Sequence, residues 1–343
     1  MTDKTMNWTR VVEERFPGLI AKVRGEIEDS EKNYEARNGK DDSAESRLWE
    51  HTTHVAALAF RLARAEKRPP LMPTLAALFH DAGKFAGGLY HGENTIEEEE
   101  SAATAKRILG EAGMKPAELA GTIAGIKALY NEKASKNPIA AIVHDADFLS
   151  KFGAMGIAAF FTKAALRGRT VESAMLGWLS KELTYAACLP QNMRTAAGKK
   201  LAAKKARDTI GFFRKLLGEM KESGIADLRI RRIRISDPRL PVTRNRVTGK
   251  SVPDGSPPGG GSPVTRNRVT GMSILKGSPP EGGSRGKNLE ILLAASNRCP
   301  QCGGLWQSAW FTEDGVKCTK LNVEWHCADC GGSLGTSFCL PEV

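Results

Sequence analysis

The sequence predicts a mainly α-helical protein with a small β-structured module at its C-terminal end. Up to about residue 224, apolar residues recur at the three- and four-residue spacing of helices that bury one face. Few hairpin signals interrupt this part, so we expect an all-helical bundle. Beyond residue 298, two Cys-x-x-Cys pairs flank an aromatic-rich stretch, which indicates a small metal-stabilised β module.

The helices follow one another along the first region. Pro17 divides the first helical segment, over 7–28, and the polar stretch 33–46 predicts a loop. Prolines and a threonine mark several of the later helix starts. The later helices are expected at 46–67, 73–81, 96–108, 116–129, 138–152, 160–166, 171–183 and 195–221. Alternating Ile and Arg over 228–235 then predict a basic strand or extended arm, for which anion binding and plain amphipathic packing are equally open.

The chain is expected to divide into a helical domain (1–235), a flexible linker (236–290) and a β module (291–343). The linker contains two 22-residue repeats, at 241–262 and 263–284, which are rich in Gly, Pro and Ser. Such a segment has too little apolar surface to offset the entropy cost of folding. The repeated Thr-Arg-Asn-Arg-Val-Thr-Gly blocks could fold on an anionic partner such as RNA, or the repeats could be a solvated tether.

The overall composition bounds the class of protein. The formal net charge is +11, which favours anionic partners, nucleotides and nucleic acids included, although solubility alone also explains it. Six of the seven cysteines lie beyond residue 298, which indicates metal binding rather than disulfides. No long apolar run and no apolar N-terminal signal are present, so we expect a cytoplasmic protein with no membrane partner.

A histidine and an aspartate stand side by side at the end of an apolar helical run. These residues, His80 and Asp81, follow Leu75, Leu78 and Phe79, which recur at helical spacing. Gly83 is expected to end that helix. Neutral imidazole and ionised carboxylate are both good ligands for a divalent metal, but two residues cannot complete a coordination sphere.

Three motifs in a set order resemble those of the HD-domain metal-dependent phosphohydrolase superfamily. They are His51 followed by Val55, the run His80-Asp81-x-Gly-Lys84, and Ala146-Asp147-x-Leu149. The resemblance covers roughly residues 30 to 220. It implies an HD-type helical bundle in which His51, His80, Asp81 and Asp147 bind one divalent metal. It also implies that Asp81 orients the attacking water and that Lys84 contacts a phosphate.

Several neighbouring residues leave alternatives open. Asp145 competes with Asp147 as the fourth ligand and could instead orient another ligand. His54 could support the metal site or be packed in the core. Glu97 to Glu100 are expected to be a solvated helix start, since acidic residues favour the positive end of a helix.

His91 and Arg194 are weaker candidates for substrate binding. His91 lies in a glycine-flanked loop, where members with two metals often place a further ligand. The segment 120–130 contains no histidine where those members have one. We therefore expect a single metal and assign His91 a contact with substrate. Arg194 is a candidate phosphate-binding cation.

The C-terminal module resembles a zinc ribbon. Cys299 and Cys302 form one Cys-x-x-Cys pair, and Cys327 and Cys330 form the other; 24 residues separate the pairs, and Gly-Gly follows each of them. Four thiolates at this spacing fit one tetrahedral structural zinc, without which so small a module could scarcely fold. Zinc ribbons bind nucleic acid or protein, so the module does not identify the partner.

The sequence is compatible with three functions from different classes. The first is a phosphohydrolase (a phosphomonoesterase or phosphodiesterase) that cleaves a nucleotide or related phosphorylated molecule with a metal-activated water. The second is an HD-type nuclease whose ribbon and basic linker bind DNA or RNA. The third is a non-enzymatic, metal-stabilised helical domain with a protein-binding ribbon. Mixed His and carboxylate ligands favour Mn, Fe, Co, Ni or Zn at the first site, with Mg as a further candidate.

Overall fold

The computed structural model of the chain describes residues 7–37, 47–86, 97–129, 136–225, 228–235, 289–296, 306–314, 319–327, 329–331 and 333–339. Within these residues the chain forms ten helices and five strands, and the predicted mainly helical fold is confirmed. The chain divides into two compact units, one with all of these helices and one with the last three strands. None of the described helices is both long and apolar enough to cross a membrane.

Three of the described helices begin at a short polar side chain that caps them. Asn7, Asn137 and Thr195 accept hydrogen bonds from backbone N–H groups in the first turns of the helices that follow them. The helices are α1 (Trp8–Arg15), α2 (Leu19–Arg37), α3 (Arg47–Ala65), α4 (Leu71–Phe79), α5 (Glu97–Glu111), α6 (Pro116–Lys127), α7 (Pro138–Ser150), α8 (Gly153–Leu166), α9 (Val171–Asn192) and α10 (Ala196–Glu222).

Three helices are clearly longer than their sequence pattern predicts. α2 continues to Arg37, so the predicted end at 28 and the first part of the predicted loop at 33–46 are wrong. α9 passes the expected end at 183 and includes Pro190, because Ala186 and Leu189 continue to pack into the core. α8 begins at Gly153 rather than at 160. Gly153 has φ +76°, a conformation that glycine adopts easily, so α8 can start directly after the end of α7.

α3, α4 and α7 pack against one another at the centre of the helical unit. Val55, Leu78, Phe79 and Leu149 are fully buried at their contacts. Burial of such a side chain contributes roughly 1.5–3 kcal/mol relative to exposure. This packing matters for function because the same three elements carry the predicted metal ligands.

The strands form two separate sheets. β1 (Leu228–Ile235), the predicted basic strand, pairs with β2 (Leu289–Ser296). β2 begins two residues inside the segment that the sequence predicts as linker. The two 22-residue repeats, at 241–262 and 263–284, lie outside the described residues.

The C-terminal unit contains an antiparallel three-stranded sheet in the order β3 (Trp306–Asp314), β4 (Thr319–Cys327) and β5 (Ser333–Cys339). Trp306 pairs with Cys327, and Lys320 pairs with Cys339. Cys327 is buried at the end of β4, and Cys330 is exposed in the turn that follows. Cys299 and Cys302 lie outside the described residues, so the four-thiolate zinc site remains a prediction.

Candidate metal centre

Three elements bring the predicted ligands together. His51 lies on α3, His80 and Asp81 follow the end of α4, and Asp147 lies on the last turns of α7. One ligand atom from each of His51, His80 and Asp81 lies within 4.8 Å of the other two. Asp147 joins this group through His51, whose Nε2 is 3.2 Å from Asp147 Oδ1 and 3.7 Å from Asp81 Oδ2.

His80 presents an unprotonated nitrogen to the cluster. Its Nδ1 is 2.7 Å from the Ala77 carbonyl oxygen, which can only accept, so Nδ1 must carry the proton. Burial lowers the pKa of His80, against the opposing effect of Asp81, so the ring is neutral. His80 Nε2 is buried and has no hydrogen-bond partner among the described residues. A buried lone pair with no donor beside it is what a metal ligand requires.

Ser150 gives His51 the same tautomer. The Ser150 hydroxyl donates its only proton to the Asp147 carbonyl, 2.7 Å away. It can therefore only accept from His51 Nδ1, at 3.4 Å, which directs His51 Nε2 at the two carboxylates, where it is hydrogen-bonded to Asp147. Ser150 was not predicted from the sequence, since a serine on a buried helix turn has no distinguishing pattern.

Both carboxylates of the cluster are held ionised. Burial raises the pKa of Asp81, but electrostatic interactions with His80, Lys84 and His51 outweigh that effect, so the net shift is downward. Burial likewise opposes ionisation of Asp147, and Lys151 and His51 bring its pKa well below the usual range. The Lys84 ammonium is 2.8 Å from Asp81 Oδ2, and that of Lys151 is 2.9 Å from Asp147 Oδ2.

Asp145 lies apart from the cluster. Residues two positions apart on a helix do not share a face, so Asp145 and Asp147 point to different sides of α7. Asp145 is fully buried and accepts hydrogen bonds from the backbone N–H groups of Arg194 and Thr195, both at 2.8 Å, and from the Thr195 hydroxyl at 2.7 Å. Its carboxylate therefore caps the positive end of α10, and Asp147 is the carboxylate beside the histidines.

The start of α5 forms one wall of the site. Ser101 is fully buried, donates to the His80 carbonyl and accepts from Gly83 N–H, both at 2.9 Å. This contact requires glycine at 83, because a Cβ there would lie 2.6 Å from Ser101 N and 2.7 Å from the Glu97 carbonyl oxygen. Gly83 has no positive φ, so its predicted role in ending α4 is wrong; α4 ends at Phe79.

Glu97 belongs to this wall and not to a solvated helix start. Its Oε1 is 4.0 Å from Lys84 Nζ, and its carboxyl group is hydrogen-bonded to Asp81. Burial, with the nearby charge of Asp81, raises the pKa of Glu97 to about 7. The sequence does not distinguish Glu97 from the three glutamates that follow it, because four consecutive identical residues do not show which one faces another element.

The two candidate substrate residues, Arg194 and His91, stay predictions. Arg194 has an exposed side chain, and its backbone N–H donates to Asp145. His91 lies outside the described residues. Lys151, by contrast, was missed by sequence reasoning, although its position four residues after Asp147 is the spacing at which helical side chains meet.

His54 lies three residues after His51 on α3 and is half-buried. Burial, together with the charges of Lys205, His51 and Arg61, lowers the pKa of His54 from 6.5 to about 4. Between pH 6.5 and 4, the unfolded chain therefore binds one more proton at this residue than the folded chain. The stability due to neutral His54 is lost as the pH falls through that window.

Replacing His54 with Gln should remove part of this acid sensitivity. We expect the loss of unfolding free energy between pH 7 and pH 5 to be about 1 kcal/mol smaller in the variant, after allowance for partial exposure of the ring. Urea unfolding of both proteins at the two pH values, followed by helical circular dichroism, measures the difference. If the unfolding free energy falls equally between pH 7 and pH 5 in the wild type and the variant, the assignment of a neutral His54 is contradicted.

Comparisons with known proteins complete the description of the site. No protein-family model and no curated protein matches the chain. A solved predicted HD-superfamily hydrolase from an uncultured Thermotogales bacterium has 23% identity and a TM-score of 0.44, covering 62% of this chain and 99% of the other. An HD-superfamily hydrolase from Bacillus thuringiensis has 21% identity and a TM-score of 0.45, covering 61% and 98%. Bacillus subtilis YpgQ, solved with ADP, has 21% identity and a TM-score of 0.43, covering 60% and 95%. Over about three fifths of its length, the chain is thus similar to solved proteins that include HD-superfamily hydrolases.

Proposed function

We propose that the chain is a metal-dependent phosphohydrolase that cleaves a phosphate ester, with a nucleotide or a related phosphorylated small molecule as substrate. The observation that carries the proposal is the meeting of two imidazole Nε2 atoms and two ionised carboxylates, from His51, His80, Asp81 and Asp147. Lysine ammonium groups lie beside both carboxylates, which adds the positive charge that a phosphate needs.

The donor set fits a divalent transition metal. His80 Nε2 is the strongest support, because a buried lone pair without a hydrogen-bond donor, 3.4 Å from Asp81 Oδ1, is costly unless a cation binds it. Two imidazoles and two carboxylates suit Mn²⁺, Fe²⁺, Co²⁺, Ni²⁺ or Zn²⁺, and Mg²⁺ is a weaker fit because it prefers oxygen ligands.

Each residue then has a defined role in phosphate ester hydrolysis. The cation, when bound, supplies a water of lowered pKa and neutralises charge on the phosphate. His51, His80 and Asp147 hold it, and Ser150 keeps His51 in the required tautomer. Asp81 is both a ligand and the group that orients the attacking water, and Lys84, 2.8 Å from Asp81, contacts a phosphate oxygen as a point charge.

We also propose a structural zinc in the C-terminal unit, bound by Cys299, Cys302, Cys327 and Cys330. The support is the antiparallel β3–β5 sheet, with Cys327 buried at the end of β4 and Cys330 three residues later in a turn. That unit is then a binding module for nucleic acid or a protein, separate from the catalytic chemistry.

Metal analysis and a metal-by-substrate screen of the full chain test both proposals. We expect two metal ions per chain, and Asp81→Asn should lose one of them while retaining zinc. Mn²⁺, Fe²⁺, Co²⁺, Ni²⁺, Zn²⁺ and Mg²⁺ are screened against nucleoside mono- and triphosphates, cyclic nucleotides, and single-stranded DNA and RNA. Hydrolysis of small phosphate esters that disappears in Asp81→Asn but persists in the control Glu219→Gln, an exposed residue of α10, would support the function.

The same screen separates the other two functions. Cleavage of DNA or RNA alone would overturn the small-molecule substrate in favour of the nuclease. Stoichiometric metal at the helical site with no hydrolysis of any substrate would favour the non-enzymatic binding domain.

A further inference from the structure

Each acidic residue of the candidate metal centre has its own lysine. Lys84 lies in the turn after α4 and contacts Asp81, whereas Lys151 follows α7 and contacts Asp147. The carboxylate side chains are 5% and 4% exposed, but the lysine side chains are 22% and 48% exposed. The ammonium groups therefore lie on the solvent side of the buried carboxylates, where a substrate would approach.

An ammonium group and a divalent cation compete for the negative charge of one carboxylate. Asp147 Oδ1 is 3.2 Å from His51 Nε2 in the cluster, and Lys151 donates a charge-assisted hydrogen bond to Asp147 Oδ2, 2.9 Å away. When Asp147 binds a cation, repulsion between the two positive charges favours departure of the ammonium group. A lysine can move in this way without any change in the backbone, because its four-carbon stem is flexible.

A third lysine shows that positive charge is concentrated at this place. Lys163 lies on α8, and its pKa is lowered first by burial and then by the charge of Lys151; Glu182 opposes this shift, and Lys84 adds a smaller lowering. The three ammonium groups therefore repel one another across three elements of the fold. A phosphate with two negative charges would relieve that repulsion, whereas a neutral ligand would not.

We propose that Lys151 is a phosphate-binding residue that changes partner: it neutralises Asp147 in the absence of a divalent cation and contacts a phosphate oxygen of the substrate when Asp147 holds the cation. Lys84 makes the same exchange at Asp81. This inference rests on the proposed function, and it specifies the substrate group as a doubly ionised phosphate that two lysines contact from the two acidic sides of the site.

Two titrations of the full chain with Lys151→Met test the exchange. Mn²⁺ affinity, measured by calorimetry without phosphate, should rise about threefold to tenfold, because the competing ammonium group is gone. Inorganic phosphate affinity, measured on the Mn²⁺-saturated protein, should fall about tenfold, as expected for one lost charge-assisted hydrogen bond. Lys151→Arg should keep phosphate binding within about threefold of the wild type.

Lys215→Met is the matched control. It removes the same charge from an exposed ion pair with Glu219 on α10 and should change neither affinity. If Lys151→Met lowers both the Mn²⁺ affinity and the phosphate affinity, the lysine is purely structural and the inference is overturned. Unchanged phosphate affinity in this variant would also overturn it. Wild-type protein that binds Mn²⁺ but not phosphate would overturn it too. Lys151→Met could raise Mn²⁺ affinity and lower phosphate affinity as expected while the wild-type protein hydrolyses no phosphate ester. That result would overturn the proposed function and leave the lysine exchange standing.

Discussion

Asp147→Asn should abolish metal binding at the helical site while the chain stays folded. The substitution removes a negative charge 3.2 Å from His51 Nε2 and replaces it with a neutral amide. Loss of a residue that merely supports a ligand costs roughly 10–100-fold in metal affinity, so loss of a ligand should cost at least about 100-fold. We expect kcat/KM for the phosphate ester to fall at least about 1,000-fold, which is about 4 kcal/mol of transition-state stabilisation.

Asp145→Asn is the contrasting substitution. Asp145 accepts hydrogen bonds from two backbone N–H groups and a hydroxyl. The side-chain NH₂ group of asparagine at this position would face these donors and could not accept from them. We expect a loss of roughly 2–4 kcal/mol in unfolding free energy, from a buried donor left unsatisfied and a charged helix cap removed. Metal titration and urea unfolding of both variants separate the two roles. Loss of metal in a folded Asp145→Asn, with metal retained in Asp147→Asn, would reverse the assignment of the fourth ligand.

Gly83→Ala should destabilise the helical unit by roughly 3 kcal/mol. The added Cβ would lie 2.6 Å from Ser101 N and Glu100 Cβ and 2.7 Å from the Glu97 carbonyl oxygen, so the backbone of α5 or of the turn must move. That turn carries His80, Asp81 and Lys84, and we therefore expect metal affinity to fall together with stability. Urea unfolding and Mn²⁺ titration measure the two effects.

Gly110→Ala provides the control on the same helix. A Cβ at Gly110 meets no heavy atom within 4 Å, and the residue is exposed near the end of α5. Alanine there should raise the unfolding free energy by up to about 1 kcal/mol, because glycine is the poorer helix former. Equal effects of the two substitutions would show that the turn and α5 are not in close contact.

Most helix positions could be predicted from the sequence because the signals are local. Apolar spacing and prolines at first turns lie within a few residues of the structure that they specify. The same holds for the ligand candidates, since His80 and Asp81 are adjacent and mark their own helix end. The end of α9 was missed because burial of Ala186 and Leu189 against other helices overrides the local pattern.

The wall that α5 builds could not be predicted. Glu97 faces Asp81 only because Gly83 and Ser101 bring α5 within backbone contact of the turn. No spacing in the sequence encodes a contact between residues on different elements. The Lys151 contact with Asp147 is the exception, because both residues lie on one turn at the end of α7.

The sequence alone determined the helical class of the first region, the approximate helix positions and the residues proposed as metal ligands, with Asp145 and Asp147 both open as the fourth. Only the tertiary structure decided that Asp147 rather than Asp145 lies beside His51 and that Asp145 instead caps α10. It also decided that His51 and His80 both direct Nε2 towards the carboxylates. The physical reason is that helix formation depends on neighbouring residues, whereas a tautomer or a ligand position depends on which groups from distant segments come within hydrogen-bonding distance.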